Sequence, residues 1–140
     1  MPGADAHPPI AAAQLAGTVL APGSGLVLAE WTAEAGPDGR RLLQAPLHSH
    51  PEDEAWYVLT GVLVVRVDDE EVSVPAGGAI VVPGGSAHTF WNPGPDPARY
   101  VLVMGPRTHA LVQAIHASDD RSPERLRALF AEHGATLLEP

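Results

Sequence analysis

The chain has 140 residues, enough for one domain that buries roughly 68–70% of the surface its unfolded form would expose. Eight Lys and Arg stand against 17 Asp and Glu, a net charge of −9 that repels phosphate backbones and anionic lipid surfaces, so neither nucleic acid nor membrane is expected as a partner. The absence of cysteine removes a disulfide framework and a thiol nucleophile, no apolar run approaches the roughly 18 residues of a membrane helix, and the N-terminus lacks a basic-then-apolar signal pattern; a cytoplasmic location is expected.

In chain order, residues 1–12 are rich in proline and without periodicity, which predicts a flexible arm. The first clear strand is Gly25 to Thr32, and Gly36-Pro37-Asp38-Gly39 turns the chain. The run from Arg41 to Leu47 leads into His48-Ser49-His50-Pro51-Glu52-Asp53-Glu54, and alternation places Gln44 on the face of His48. Residues two apart in a strand project to the same side, so His48 and His50 aim at one point, which suits a metal ion. Glu54, at the head of the apolar run Ala55 to Leu59, can point the same way; a register slip would bring Glu52 or Asp53 there instead.

Glu54–Leu59 and Val62–Val67 flank Thr60-Gly61, which reads as a two-residue hairpin turn pairing Leu59 with Val62, Val58 with Leu63 and Trp56 with Val65. That register turns Glu54, Trp56, Val58, Leu63, Val65 and Val67 inward and leaves Arg66 outside. Asp68 to Glu71 is expected as a solvated turn, lacking the glycine and spacing of a calcium loop. Ala79–Val82 is a short strand, and in His88–Asn92 alternation puts His88 and Phe90 on one face, so Phe90 joins Trp56 as a wall of the site. Arg99–Met104 is the last strand.

After Pro106 the period shifts toward 3.6: Leu111, Val112 and Ile115 share one helical face, and a second helix starts at Ser122-Pro123-Glu124, carries Leu126, Leu129 and Phe130, and stops at Gly134. These stripes are expected to cover one end of the domain or a neighbouring subunit. His109 and His116 are expected to be structural or surface residues.

Two spaced patterns carry more information than the elements: His48-x-His50-x3-Glu54-x6-Gly61 and Gly77-x5-Pro83-x-Gly85-x2-His88-x3-Asn92. Together they resemble both signatures of the small single-domain cupins, including the quercetinase-like ones, with one departure: Leu42 stands where a glycine is expected. The resemblance implies an all-β double-stranded jelly roll over residues 13–105, with a C-terminal helical appendage at 106–140. It further implies one divalent transition metal per chain (Fe, Mn, Ni, Co, Cu or Zn), held by His48, His50, Glu54 and His88, with Glu54 also the catalytic base. The expected substrate pocket is Trp56, Val58, Leu63, Val65 and Phe90, suited to a small, partly apolar molecule that reaches the metal through oxygen. A homodimer is implied as well. The leading expectation for the reaction is a metal-dependent oxygenase; redox-neutral isomerisation, dehydration or cyclisation is the alternative, and a non-catalytic binding module the third.

Overall fold

The structure, a computed structural model, describes residues 17, 19–21 and 24–139. The arm expected at residues 1–12 lies outside the described residues. The strands are β1 (Val19–Leu20), β2 (Val27–Ala33), β3 (Leu47–Ser49), β4 (Glu54–Thr60), β5 (Val62–Val67), β6 (Glu70–Pro75), β7 (Ala79–Val82), β8 (His88–Trp91) and β9 (Ala98–Met104); helices α1 (Pro106–Ala117) and α2 (Pro123–Glu132) follow, then β10 (Thr136–Glu139).

The strands form two five-stranded antiparallel sheets, ordered β1-β2-β9-β4-β7 and β10-β3-β8-β5-β6. Alternation along β4, β5 and β9 sends every second side chain between the sheets, where Val58, Leu63 and Val65 have no exposed surface. Burial of such side chains contributes about 1.5–3 kcal/mol each. This is a double-stranded jelly roll, mostly β with a helical C-terminal part.

The expected Thr60-Gly61 hairpin is corrected by the pairing. β4 bonds to β7 and β9, whereas β5 bonds to β6 and β8, so the chain crosses at Gly61 from one sheet to the other. The inward set survives, because alternation encodes which face is buried and not which strand lies alongside. Gly61 has φ +79°, and a Cβ there would sit 2.8 Å from Ala98 Cα and from the Pro97 carbonyl oxygen, a crossing too tight for a side chain.

The C-terminal segment also differs from a purely helical appendage. α2 is capped by Ser122, whose hydroxyl accepts from Arg125 N at 3.3 Å, and the chain leaves it through Gly134 at φ +71°. It then returns as β10 beside β3, with Leu137 opposite His48. Leu111, Phe130, Ala135 and Leu137 form a second small core there.

Candidate metal centre

Both sheets contribute to the histidine cluster. His48, in the middle of β3, lies directly opposite His88, the first residue of β8; His50 follows β3 by one residue, and Glu54 opens β4 in the facing sheet. All four are buried, and one ligand atom from each lies within 4.8 Å of the others. Asp53 and Glu52 point elsewhere: Asp53 Oδ1 accepts from Gly84 N at 2.7 Å, and the Glu52 carboxylate reaches the start of α1.

Each imidazole is oriented by its other nitrogen. His48 Nδ1 donates to the Pro46 carbonyl at 2.6 Å, His50 Nδ1 to that of Glu52 at 2.9 Å and His88 Nδ1 to that of Ser86 at 2.9 Å. A carbonyl only accepts, so Nδ1 carries the hydrogen and Nε2 is the nitrogen left with a lone pair. Nε2 of His50 and of His88 lie 3.2 and 3.1 Å from the same carboxylate oxygen, Glu54 Oε1. Lone pairs facing a carboxylate repel unless a cation stands among them, and the donor set of three imidazoles and one carboxylate fits a divalent first-row transition metal.

The electrostatics express the same demand. Burial, followed by the neighbouring His88, lowers His48 to about 4, so it is neutral at pH 7. For His50, burial pulls downward but the Glu54 hydrogen bond and charge prevail, and its pKa is raised. Burial alone would raise Glu54; His50 and His88, which donate to it from Nε2 when they carry a second proton in place of an ion, hold it instead at about 2, an anion at any ordinary pH.

Above the cluster opens a cavity of about 330 Å³. Trp56 and Phe90 wall it, with Tyr100 and Leu102 of β9, and its roof is made of Leu111, Val112 and Ile115 of α1 and Phe130 of α2. Val58, Leu63 and Val65 do not line it; they are packed in the core between the sheets. Strand alternation separates inside from outside but says nothing of height along the barrel, so these three share the inward face without reaching the cavity. The apolar stripes of the two helices supply the roof, and Gln44 lines the cavity on the same side as His48. His116 also lines it, edge-on to Trp31 at 6.2 Å between ring centroids, whereas His109 is buried away from it. Trp56 Nε1 is buried without a hydrogen-bond partner among the described residues. Burial, and after it the charge of Glu54, pushes the Tyr100 phenol up, so its hydroxyl keeps its proton.

Among the described residues no helix is long and apolar enough to cross a membrane. Over 60 residues the chain is 42% identical to the tetracenomycin polyketide synthase protein TcmJ of Streptomyces glaucescens, a match covering 42% of this chain and 40% of that protein. The chain therefore spans about 40% of the length of the curated relative it matches. A conserved protein with a double-stranded β-helix domain from Klebsiella pneumoniae aligns at 24% identity and TM-score 0.52, over 64% of this chain and 70% of its own. A sugar phosphate isomerase of the cupin superfamily from Silicibacter pomeroyi aligns at 26% identity and TM-score 0.51, over 59% and 51%. Residues 42–104 match the cupin domain family. That match spans both signatures and the histidine cluster held between the two antiparallel sheets, so residues 42–104 are a cupin domain.

Proposed function

We propose that this protein is a metal-dependent enzyme acting on a small, partly aromatic, oxygen-rich molecule of the polyketide kind, and that the reaction is a redox-neutral ring closure or dehydration. The observation that carries the reading is the cluster of His48, His50, Glu54 and His88 at the base of a cavity walled by Trp56, Phe90 and Tyr100. His48, His50, His88 and Glu54 would hold the ion, which when bound polarises substrate oxygens and, if redox-active, gives access to dioxygen chemistry. The apolar walls exclude water and grip the carbon skeleton. Glu54, anionic at neutral pH, takes a proton from a carbon activated by flanking carbonyls, the recurring unit of a polyketide. The Tyr100 hydroxyl, the Gln44 amide and the His116 ring are polar groups on the lining for ligand oxygens.

The likeness to TcmJ favours this substrate class over a sugar phosphate, and so does the wall. Among the described residues neither Lys nor Arg lines the cavity, which leaves a phosphate without the cations that ordinarily hold it. The oxygenase expected from the sequence is the second reading, because the same donors suit redox-active Fe, Mn, Ni and Cu.

The test is a panel of 1,3-diketones and polyphenols offered to protein loaded separately with Zn and with Fe, Mn or Ni, with product mass and oxygen uptake recorded together. Turnover with Zn, product mass unchanged or reduced by one water and no oxygen consumed, is the expected result. Oxygen consumption stoichiometric with product transfers the assignment to the oxygenase, and tight binding without turnover makes the protein a binding module.

A further inference from the structure

Helix α1 begins without a cap of its own. Gly105 occupies the N-cap position, no acidic residue lies in the first turn, and no local side chain accepts from the exposed amides. The missing acceptor comes from 55 and 56 residues earlier in the chain than Arg107 and Thr108: Glu52 Oε1 accepts from Thr108 N at 2.7 Å and from the Thr108 hydroxyl at 2.8 Å, and Oε2 lies 3.5 Å from Arg107 N. A carboxylate at a helix N-terminus is favoured both by these bonds and by the helix dipole. Gly105 leaves room for it, since a Cβ there would lie 2.4 Å from the Glu52 carboxyl carbon.

The same residue faces the cluster through its backbone. The Glu52 carbonyl accepts from His50 Nδ1 at 2.9 Å, fixing the ring that turns Nε2 toward Glu54, and Glu54 itself is two residues on. Asp53, between them, ties the loop to Gly84, on the approach to His88. One short loop thus orients a ligand with its main chain and holds the roof helix with a side chain, and that helix supplies Leu111, Val112 and Ile115 to the cavity.

We propose that Glu52 is a positioning residue joining the roof of the cavity to its metal centre, so that divalent-ion binding at the four ligands and seating of α1 are coupled. The coupling is reciprocal: whatever unseats α1 weakens metal binding, and metal binding steadies α1. The proposal rests on the cluster being a metal site.

The experiment measures Zn²⁺ affinity by competition with a chromophoric chelator, and amide hydrogen exchange over residues 107–112 with and without Zn²⁺. It compares the full-length parent with Glu52→Ala, Glu52→Gln and Gly105→Ala. In the parent, Zn²⁺ slows exchange in the first turn of α1. Glu52→Ala, which keeps the backbone carbonyl on His50 but releases α1, loses affinity roughly tenfold, an ordinary size for coupling between two sites, and Zn²⁺ no longer slows that exchange. Gly105→Ala, which keeps Glu52 but evicts its flexible carboxylate, reproduces both changes, whereas Glu52→Gln, still an acceptor for Thr108, stays near the parent. If Glu52→Ala and Gly105→Ala bind and respond like the parent, the coupling does not exist. If Glu52→Gln loses affinity as far as Glu52→Ala while the first turn of α1 stays protected as in the parent, the negative charge acts on the ion directly and not through the helix, and the proposal is equally overturned. A parent that takes up no Zn²⁺ removes the metal reading itself, and this inference with it.

Discussion

His48 and His50, two residues apart, are displaced in opposite directions, and the difference controls how the cluster takes up an ion. Burial and the neighbouring His88 hold His48 at about 4, so its Nε2 lone pair is available throughout the neutral range. His50 is raised by Glu54 against the cost of burial and must shed a proton to bind. Zn²⁺ affinity is therefore expected to fall by about tenfold per pH unit below the raised His50 value, and more steeply once pH approaches 4 and His48 also protonates. Chelator competition between pH 4 and 8 measures this, and a flat profile would show that the imidazoles are not the ligands. Glu54→Gln separates binding from chemistry: three imidazoles retain the ion, while loss of the base lowers turnover by about a hundredfold or more on a confirmed substrate. Metal-loaded Glu54→Gln with full activity would withdraw the base role. Asp53→Asn should leave metal binding close to the parent, since that side chain is spent on Gly84 N.

The strands show where sequence reasoning reaches and where it stops. The parity of Glu54, Trp56 and Val58, then of Leu63 and Val65, was legible because apolar alternation reports burial directly. Their neighbours were not, since a hairpin and a crossing between sheets present the same alternation and Gly61 serves either. β1 has two residues and β10 four, with Thr136 and Glu139 at its ends, too short and mixed to announce strands; only pairing with β2 and β3 makes them so. The crossing can be tested against a second glycine of similar conformation. Gly61 and Gly77 have φ +79° and +83°, but a Cβ at Gly77 meets nothing within 4 Å, while at Gly61 it meets backbone atoms that cannot swing aside. Gly77→Ala should cost the backbone strain alone, about 1–2 kcal/mol, and Gly61→Ala clearly more, about 3 kcal/mol or above, in denaturant unfolding of the two variants. Equal losses would mean that the approach to Ala98 is looser than the structure shows.

For the molecule as a whole, the four cluster residues were legible from two spaced patterns, whereas the shape of the cavity was not, because its roof comes from helices whose docking no local pattern encodes. That roof belongs to a C-terminal segment with three roles: α1 closes the cavity, β10 pairs with the edge of β3 that carries His48, and Phe130 packs edge-on to the His48 ring at 5.4 Å. Removing residues 106–140 would take away the small core of Leu111, Phe130 and Leu137, uncover the cavity walls Trp56, Phe90 and Leu102, each of which contributes about 1.5–3 kcal/mol when buried, and leave the β3 edge open to strand pairing. The truncated chain is expected to melt roughly 10 °C or more below the parent, to associate nonspecifically and to bind Zn²⁺ more weakly. The expected homodimer is separable from that association. On the outer face of the other sheet, Val81 and Tyr57 are 66% and 45% exposed, remote from the C-terminal segment in the strand order. Val81→Lys should disperse a dimer formed on that face while leaving Zn²⁺ affinity and the melting point near those of the parent, as light scattering and calorimetry would show. A dimer that survives Val81→Lys but is lost on truncation would move the subunit contact to the helical side and make α1 and α2 part of it.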